Sequence, residues 1–562
     1  MVNRRKQDLI YLVVFLGIVL LINFISSFFF SRIDFTLEKR YTLSPVSRNI
    51  LAKLDDDIQI SVYLEGDFPA GFKRLRNSTR DILADFKAYS GGKLHFDFIN
   101  PSKGDKQSQE ESYRKLAENG IEATNLSVKT EEGLTQKIIF PAALITYKGR
   151  QMPVKLLLSR AGASPEEVLN NSVENLEYAF VSAIKKLSSG GKPRVGFTEG
   201  HGELSDLQLN DAMKSLEDGF EVGRVDLKLI PMQGLDKLSV LIIPKPDRAF
   251  SEAEKFKIDY FVMRGGRVLW AIDQVNAELD SLRGAGQQLA FPKKLNLDDI
   301  LFRYGIRINY NLVADMNCAQ VPVSVGNVGG QSQIQMLPWL FYPIFIPTSA
   351  HPLVKNLDGI RSEFAGTIDT LPVKNVRKEV ILSSSPFSHA LESPTLLSLQ
   401  MLEKEPDPRA FKNKPMPVGV LLEGNFTSDF KNRPVPAEIT QPVTIPAVSK
   451  FTKMIVLADG DIFKNQVNNS DGSPFPLGYD RYTQQQYGNK NLLLNAADYL
   501  TDDSGIIQLR NKEIKLRLLD RARIRSEKTF WQYLNIGLPL VLLIIFGVLR
   551  HFYRQRKYAR GI

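Results

Sequence analysis

The sequence predicts an α/β protein whose folded region lies between a transmembrane helix near each end of the chain. Two uncharged apolar segments, Leu9–Phe30 and about Phe530–Leu549, are each long enough to cross a bilayer. Between them, strand-like and helix-like patterns alternate, which favours helices packed on mostly parallel sheets. The 562 residues exceed the usual length of a single domain, so we expect two domains between the helices.

The composition is that of a protein with ordinary folded cores. Hydrophobic residues make up 43% of the chain and charged residues 24%. The net charge of +10 is spread along the sequence and concentrated only near the two ends, so it predicts no nucleic-acid partner. Cys318 is the single cysteine, which excludes an intrachain disulfide and the disulfide-rich secreted class.

The first apolar segment is predicted to be an uncleaved membrane anchor. As a helix it is roughly 33 Å long, at about 1.5 Å per residue. It ends in three phenylalanines, 28–30, rather than in the small residues of a signal-peptide cleavage site. Asn23, Ser26 and Ser27 are polar positions in this segment, and they either contact a partner helix or lie near the membrane interface.

Basic residues on both tails predict a two-pass topology. The tail 1–8 carries three basic residues and the tail 550–562 carries five. The positive-inside rule therefore places both termini in the cytoplasm and residues 31–529 on the other side of the membrane. In the second apolar segment, predicted to span residues 530–549, Gly537 and Gly547 are small enough to let a partner helix approach closely.

The first predicted domain, residues 31–190, has the element order β-α-β-α-β-β-α. A helix with apolar residues at helical spacing covers about Phe72–Tyr89, and alternation predicts a strand over Leu94–Ile99. A long helix is expected over about Pro165–Leu187, with Ser164 as its N-cap. This order resembles a thioredoxin-type fold, although the redox Cys-x-x-Cys pair is absent.

The second predicted domain, residues 191–505, begins after a glycine-rich boundary at Ser188–Pro193. Strands alternate with helices there, one of which is an amphipathic helix over Ser251–Arg264, and the pattern favours a doubly wound, mostly parallel sheet. Prolines and short strand candidates predict a β-rich insertion at about 300–450. Residues 506–529 are expected to form a juxtamembrane segment.

Motifs for nucleotide binding and for common catalytic chemistry are missing from the sequence. There is no Gly-x-x-x-x-Gly-Lys-Ser/Thr phosphate loop, so this chain is not itself expected to be an ATPase. There is also no Gly-x-Gly-x-x-Gly, His-Glu-x-x-His or Gly-x-Ser-x-Gly. Five histidines are scattered along the chain. We therefore predict no cofactor, no metal and no catalytic residue.

One polar cluster, Glu199, His201 and Glu203, follows a predicted strand, where open α/β sheets place ligand sites. These side chains could bind a cation, a ligand or a partner, or act in acid–base chemistry. Because no nucleophile or fourth metal ligand accompanies them, the favoured interpretation is a tight glycine loop whose side chains cap the next helix.

Two further stretches allow two interpretations each. The apolar run Met336–Pro347 contains three prolines, so it cannot span a membrane as a helix. It is either core packing, which we favour, or an exposed patch for a partner or lipid. The acidic turn Asp459-Gly460-Asp461 is predicted to be a strand-to-helix loop, with a carboxylate site as the lesser alternative.

Several short stretches together resemble one bacterial family. They are Arg40–Pro45, Gly66–Leu75, Asn100-Pro101, Thr198–Glu203, Met263–Arg267, His351–Val354 and Leu457–Asp461. With the two end helices, their order over the whole chain resembles the GldG type of gliding-motility-associated ABC transporter auxiliary protein, for which substrate binding is often inferred. The second domain also resembles a glutamine-amidotransferase-like module, although Cys318 follows no nucleophile elbow.

This resemblance implies a bacterial inner-membrane protein with periplasmic domains, which works with an ABC permease and a separate ATPase subunit. We expect a non-catalytic auxiliary subunit linked to gliding motility, whose large exterior region binds cargo or an envelope partner. Two rival hypotheses remain. One is an envelope hydrolase or transferase that uses the Glu199/His201/Glu203 loop, and the other is a scaffold for motility or secretion components.

Overall fold

A computed structural model of the chain describes nine ranges of residues. They are 2–26, 42–130, 133–158, 163–328, 331–403, 406–411, 414–468, 470–511 and 521–558. The chain forms two compact units, Met1–Lys512 and Glu513–Ile562. The α/β class that the sequence predicts is confirmed, since helices and strands alternate through most of the larger unit.

The first part of the larger unit contains eleven elements. They are α1 (Val2–Ser26), α2 (Pro45–Ala52), β1 (Ile58–Val62), α3 (Ala70–Tyr89), β2 (Leu94–Phe98), α4 (Lys106–Glu118), β3 (Thr124–Thr130), β4 (Gly133–Ile139), β5 (Ala142–Tyr147), β6 (Arg150–Lys155) and α5 (Pro165–Ser188).

A four-stranded sheet in the order β2-β1-β5-β6 organises this part. Strand β1 is parallel to β2 and antiparallel to β5. The expected order of elements is present with two additions, because helix α2 precedes β1 and the β3–β4 hairpin is inserted before β5. The hydroxyl of Ser164 accepts a hydrogen bond from the backbone N–H of Glu167, which is the N-cap predicted for α5. The likeness to thioredoxin-type folds remains a prediction.

The next part forms the start of a second, larger sheet. Its elements are β7 (Arg194–Glu199), α6 (Asn210–Glu217), β8 (Glu221–Asp226), α7 (Met232–Leu235), β9 (Val240–Pro244), α8 (Glu252–Met263) and β10 (Arg267–Ala271).

The remaining part of the larger unit is rich in short strands. Its elements are β11 (Val275–Asn276), α9 (Leu279–Ala285), β12 (Gln287–Pro292), α10 (Asp298–Tyr304), β13 (Ile306–Ile308), β14 (Asn311–Asp315), β15 (Cys318–Val328), β16 (Gln331–Phe345), β17 (Ile360–Arg361), β18 (Ile368–Thr370), β19 (Val376–Ser383), β20 (Ser388–Glu392), β21 (Thr395–Ser398), β22 (Pro417–Gly424), β23 (Thr452–Leu457), β24 (Tyr479–Asp480), β25 (Gln485–Gln486) and α11 (Asn489–Thr501).

A seven-stranded sheet, which we call the central sheet, lies in the larger unit and has the order β19-β22-β23-β10-β9-β7-β8. Strands β8, β7, β9, β10 and β23 are parallel, and β22 and β19 add an antiparallel edge. Side chains of β9 alternate between the two faces. Val240 and Ile242 pack into a core with α6 and α11, whereas Leu241 and Ile243 pack into a core with α7 and α8.

The strands expected to form an insertion at 300–450 divide between two structures. Strands β19 and β22 pair into the central sheet, whereas the other strands of this range, including the long pair β15 and β16, form small separate sheets. Of the run Met336–Pro347, Trp339, Phe341 and Phe345 are at most 2% exposed, so this run packs chiefly into the core. It lies mostly in β16.

Helix α8 differs from the amphipathic helix that its sequence predicts. It is buried on nearly all sides, and Lys255 and Asp259 are both 0% exposed. The ammonium group of Lys255 lies 2.6 Å from a carboxylate oxygen of Asp299, while Asp259 accepts hydrogen bonds from the hydroxyls of Tyr304 and Ser428. The face that looked solvent-exposed is covered by chain segments far away in sequence, which pair its charged groups.

The predicted domain boundary at Ser188–Pro193 lies inside one compact unit. Helix α5, which ends just before it, shares a hydrophobic core with the 3-10 turn Ile506–Asn511 at the far end of that unit. Lys186 of α5 pairs with Asp498 at 2.7 Å. The glycine-rich stretch therefore lies within the larger unit, and a division into two domains at this point remains a prediction.

The two predicted membrane segments form helices of different extent. Helix α12 (Arg521–Tyr558) continues well beyond the predicted span 530–549, and by length and composition its part Ile524–Arg556 is able to cross a membrane. In α1 the apolar part is Ile10–Asn23, which is shorter than a full span within the described residues. The end of the first predicted span, residues 27–30, lies outside the described residues, so that span remains a prediction.

Candidate functional site

The carboxyl edge of the central sheet brings several buried charged residues together. Because β7, β9, β10 and β23 are parallel, their carboxyl ends meet at this edge. His201 follows β7, Lys245 follows β9, Asp273 follows β10, and Asp459 follows β23. All four residues are at most 7% exposed. Ligand sites of open α/β sheets lie at this edge, so it is the candidate site.

The histidine group, which we define as His201, Glu203 and Glu254, is the first of two charged groups at this edge. The imidazole Nδ1 lies 3.3 Å from Oε1 of Glu203, and Nε2 lies 3.1 Å from Oε2 of Glu254. The ring stacks on Phe250 at a centroid distance of 3.8 Å. Asp247 and Arg248 donate backbone hydrogen bonds to the carbonyl of His201. The imidazole thus joins the β7 loop to the start of α8.

The electrostatics of the histidine group favour an imidazolium ion. Burial lowers the pKa of His201, but hydrogen bonds to Glu203 and Glu254 outweigh burial and raise the pKa above its ordinary value. Both carboxylates have lowered pKa values, because their hydrogen bonds, including those with His201, outweigh burial. Both ring nitrogens already face a carboxylate, which is a poor arrangement for a general base that must accept a proton.

Of the three polar residues predicted at this loop, the structure brings only two together. His201 and Glu203 are in contact, whereas Glu199 pairs with Arg224 of β8 at 3.3 Å. Gly200 and Gly202 have φ values of +107° and +75°, which a side chain would strain. The predicted glycine turn is present, but its side chains do not cap the next helix, because α6 begins at Asn210 without a side-chain cap. A ligand or partner role for these residues remains a prediction.

We expect the stability of the protein to depend on pH through His201. An imidazole whose folded pKa exceeds 6.5 stabilises the fold fully below that pH, and this contribution is lost as the pH rises through the folded pKa. The free energy of unfolding should therefore fall above pH 6.5. In His201→Gln this fall should be absent, whereas His95→Gln, which changes an exposed histidine of β2, should retain it. Urea unfolding of the full-length variants between pH 6 and 9 measures the free energy of unfolding at each pH. If this free energy falls equally with pH in His201→Gln and in His95→Gln, the raised pKa of His201 is wrong.

The lysine cluster, defined as Lys245, Asp273, Glu278, Asp461 and Lys464, is the second charged group. The ammonium of Lys245 lies 2.6 Å from Oδ2 of Asp461, 2.5 Å from Oε1 of Glu278 and 3.6 Å from Oδ2 of Asp273. The ammonium of Lys464 lies 2.8 Å from Oδ1 of Asp461. Asp461 is thus held between two cations.

The backbone around the lysine cluster interlocks three strand ends. Lys245 has a positive φ of 54°, and its N–H donates to the carbonyl of Ala271 at 2.8 Å. The N–H of Gly460 donates to Oδ1 of Asp273 at 2.6 Å. A Cβ at Gly460 would lie 2.5 Å from the Cβ of Lys245, so only glycine fits in the Asp459-Gly460-Asp461 turn.

Asp459 lies beside the cluster as a third buried carboxyl group. It accepts hydrogen bonds from the Ser362 hydroxyl and from the N–H groups of Glu363 and Asp461. Burial, together with Asp273 and Asp461, nevertheless raises its pKa well above the ordinary value. Asp461 is the opposite case, because Lys245 and Lys464 outweigh burial and lower its pKa. One carboxyl group therefore favours the neutral form while its neighbour favours the charged form.

The carboxylates of Asp273, Asp459 and Asp461 have ligand atoms within 4.8 Å of one another, close enough to share a cation. The ammonium of Lys245 already supplies a positive charge to two of them. We therefore describe the group as a buried ion network. A small pocket of about 100 Å³ adjoins it, lined in part by Glu278, Glu363 and Tyr342. Since a water molecule takes about 30 Å³, this pocket accommodates only a small chemical group.

Sequence reasoning missed most of the lysine cluster. It considered the Asp459-Gly460-Asp461 turn and left Lys245, Asp273 and Glu278 unmentioned. The available signal was that Lys245 and Asp273 directly follow buried strands whose ends share one edge.

The predicted membrane contacts lie elsewhere. If Gly537 or Gly547 of α12 carried a Cβ atom, no other heavy atom would lie within 4 Å of it, so the helix surface is open at both positions.

The polar positions predicted in the first membrane segment are only partly described. Asn23 lies in the exposed part of α1, whereas the structure describes the backbone of Ser26 but not its side chain. Ser27 lies outside the described residues. A contact between these residues and a partner helix remains a prediction.

Comparison with known protein families gives two matches along this chain. Residues 192–496 match the model of a family described as an ABC-type uncharacterized transport system. Residues 37–146 match a domain of unknown function, DUF7088. The first match covers more than half of the chain and contains the whole carboxyl edge, with both the histidine group and the lysine cluster.

Individual relatives are distant. A Borreliella burgdorferi protein described as uncharacterized is 23% identical over 567 aligned residues, which cover 99% of each chain. Among solved structures, the N-terminal domain of mmIFT52 has a TM-score of 0.32 at 13% identity, over 55% of this chain and 98% of that one. A ThuA-like protein of Bacteroides uniformis has a TM-score of 0.26 at 15% identity, over 56% and 94%.

Proposed function

Since the chain belongs to the family of ABC-type uncharacterized transport system proteins, we propose that it is a non-catalytic, membrane-anchored auxiliary subunit of an ABC transporter. The observation that carries this proposal is the family match, because it spans the central sheet and its charged edge in one continuous stretch, 192–496. Within the complex, the large unit would stand outside the cytoplasm and bind cargo or an envelope partner.

Anchoring in the membrane is supported by α12. Within its candidate span, Ile524–Arg556, the uncharged stretch 529–549 is about 32 Å long at 1.5 Å per residue, which matches the roughly 30 Å of a hydrocarbon core. The apolar part of α1 would form the second anchor together with the residues that follow it. Two anchors on one folded body would fix its height and orientation at the bilayer more firmly than one anchor does.

The energy for transport would come from a partner. The sequence has no phosphate-binding loop, so it lacks the usual means of holding a nucleotide. Two helices are also too few to enclose a conducting path on their own. A polytopic permease and a separate ATPase subunit would therefore complete the complex. The link to gliding motility rests on the sequence resemblance.

A comparison of phenotypes tests the transport role. If the protein serves an ABC transporter, deleting it should give the same envelope and surface-spreading defects as replacing the phosphate-loop lysine of the partner ATPase. Combining the two changes should add nothing. A deletion defect that persists unchanged when the ATPase is inactive, and adds to the ATPase defect, would instead favour a scaffold without transport.

The orientation of the protein gives a separate prediction. We expect both tails in the cytoplasm and residues 31–529 outside, because both tails are basic. In a Cys318→Ser background, single cysteines at exposed positions of the larger unit, such as Lys53 or Lys155, should react with an impermeant thiol reagent in intact spheroplasts. Cysteines placed in residues 1–8 should react only after lysis. The reverse pattern would show an inverted topology.

A further inference from the structure

A second cavity lies in the first part of the larger unit, at the carboxyl ends of the parallel strands β1 and β2. Its volume is about 420 Å³, which is within the roughly 300–1,000 Å³ of small-molecule sites. Its walls come from the segment after β1, the segment after β2, helix α4 and strand β4. The two segments contain Gly66 and the pair Asn100-Pro101, whose motifs the transport function leaves unexplained.

The backbone of the two segments that line this cavity is held in a glycine conformation at Gly66 and in a turn at Asn100. Gly66 has a φ of +147°, and a Cβ there would lie 3.4 Å from the ring of Phe68. The side-chain oxygen of Asn100 accepts the N–H of Ser102 at 3.0 Å, which closes a turn around Pro101. This bond uses the amide oxygen of Asn100 and leaves its NH₂ group on the cavity side, 3.7 Å from the same Cβ position.

Aromatic rings make the floor of the cavity apolar. Phe68 and Phe140 are at most 9% exposed, and Tyr113 packs against Phe140 at a centroid distance of 4.9 Å. The hydroxyl of Tyr113 is bonded to that of Ser102 at 2.9 Å. At the rim, Ile138 is 46% exposed. Together these side chains offer an apolar surface to a ligand.

Three residues that line the cavity carry hydrogen-bond donors close to its aromatic rings. The ammonium of Lys137 reaches only the backbone carbonyl of Asp67, at 3.4 Å, and pairs with no carboxylate among the described residues. The half-buried hydroxyl of Tyr63 makes no hydrogen bond within the part of the chain that the structure describes, and burial and nearby Asp97 raise its pKa. With the NH₂ group of Asn100, three donors therefore face one apolar cavity.

The carboxylates that line the cavity are already neutralised from outside it. Glu65 pairs with Arg76 at 2.9 Å and Arg80 at 3.2 Å, and Asp67 pairs with Lys73 at 3.2 Å. All three cations lie on α3. Together with Lys137, four cations lie around Glu65 and Asp67, and Asp97 near Tyr63 adds a third carboxylate. Four cations against three carboxylates leave a local charge of +1, which favours an anion in the cavity.

We propose that this cavity binds a carboxylate carried on an apolar group. The apolar part would lie on Phe68 and Phe140, and the carboxylate would accept hydrogen bonds from Lys137, Asn100 and Tyr63. The carboxyl terminus of a peptide that ends in an apolar residue has this chemistry, and so does a short fatty acid. The proposal is independent of the transport role, because it concerns residues outside the transport-family match.

Binding to the full chain in lipid nanodiscs tests the proposal by calorimetry. The probes are acetyl-Ala-Ala-Ala-Phe with a free carboxylate, the same peptide as its amide, and hexanoate. We expect the free acid to bind about tenfold more tightly than the amide, which is the usual order for a charge-assisted hydrogen bond. If hexanoate binds and the peptide acid does not, the natural ligand is a fatty acid rather than a peptide carboxyl terminus.

Variants distinguish specific binding in the cavity from non-specific binding elsewhere on the protein. Lys137→Gln should abolish the preference for the acid, Lys137→Arg should restore most of it, and Lys53→Gln, at an exposed lysine outside the cavity, should leave it intact. The proposal is wrong if neither the peptide acid nor hexanoate binds. It is equally wrong if acid and amide bind alike, or if Lys137→Gln binds the acid as the native protein does.

Discussion

Replacement of Lys245 by methionine is expected to lower the free energy of unfolding by about 3–5 kcal/mol, the usual cost of removing one partner of a buried ion pair. The lysine side chain is 9% exposed, and its ammonium lies within 2.6 Å of carboxylate oxygens of Asp461 and Glu278. Methionine has a similar length and no charge. The substitution would therefore leave buried carboxylates without their main partner while changing the packed volume little.

The effect should shrink in acid. Lys245 and Lys464 lower the pKa of Asp461 against burial, so the stability from this carboxylate is present above pH 3.8 and lost as the pH falls through its folded pKa. In Lys245→Met the carboxyl group takes up a proton more readily, which relieves the unpaired charge. The difference in unfolding free energy between the two proteins should thus be smaller near pH 3 than at pH 7.

Denaturant unfolding of the full chain at both pH values measures these differences. Lys155→Met is a suitable control, because Lys155 forms an exposed ion pair with Glu122 at 3.0 Å and its loss should change stability little. If Lys245→Met costs no more than this control, water reaches the cluster, and the cluster is not the closed ion network that its distances indicate.

The largest functional effect is expected from the membrane helices. If both are exchanged for unrelated apolar spans of equal length, we expect recovery of the permease with this protein to fall to background. The reason is that helices in lipid recognise one another through close packing of small residues and through polar contacts, and an unrelated span lacks both. The larger unit should keep its thermal unfolding midpoint, since none of its described hydrophobic cores includes a residue of α1 or α12.

A pair of substitutions in α12 tests whether the permease contacts the surface that contains Gly537 and Gly547. Gly537→Leu together with Gly547→Leu fills the open positions on α12, so it should weaken capture of the permease. Val541→Leu enlarges an exposed side chain between the two glycines by one methylene group and serves as the matched control. If the helix exchange leaves capture at full yield, the contact with the permease lies in the larger unit.

Local patterns in the sequence predicted the elements of the fold well. Helical spacing located α3, alternation located β2, and the Ser164 cap marked the start of α5, because each signal depends on neighbouring residues only. The pairing of distant segments was not accessible. Strands β19 and β22 looked like parts of an insertion, and only the pairing of β22 with β23 and of β19 with β22 places them in the central sheet.

The same reason explains why the lysine cluster was missed. Lys245 and Asp461 are 216 residues apart, and Glu278 reaches them from the segment after β10. Each residue alone looks like a solvated charge in a loop. Helix α8 shows the reverse error, since Lys255 and Asp259 suggested a solvent-exposed face that distant segments in fact bury. In both cases the burial of a charge depends on tertiary contacts that no local pattern encodes.

Co-purification of the native protein from its own membranes tests the transport proposal most directly. A tagged chain, extracted in a mild detergent and analysed by quantitative mass spectrometry, should recover an ABC permease and its ATPase in amounts comparable to its own. The untagged strain sets the background. If no permease rises above that background, with or without chemical cross-linking before extraction, the protein is not a transporter subunit and the scaffold hypothesis takes its place.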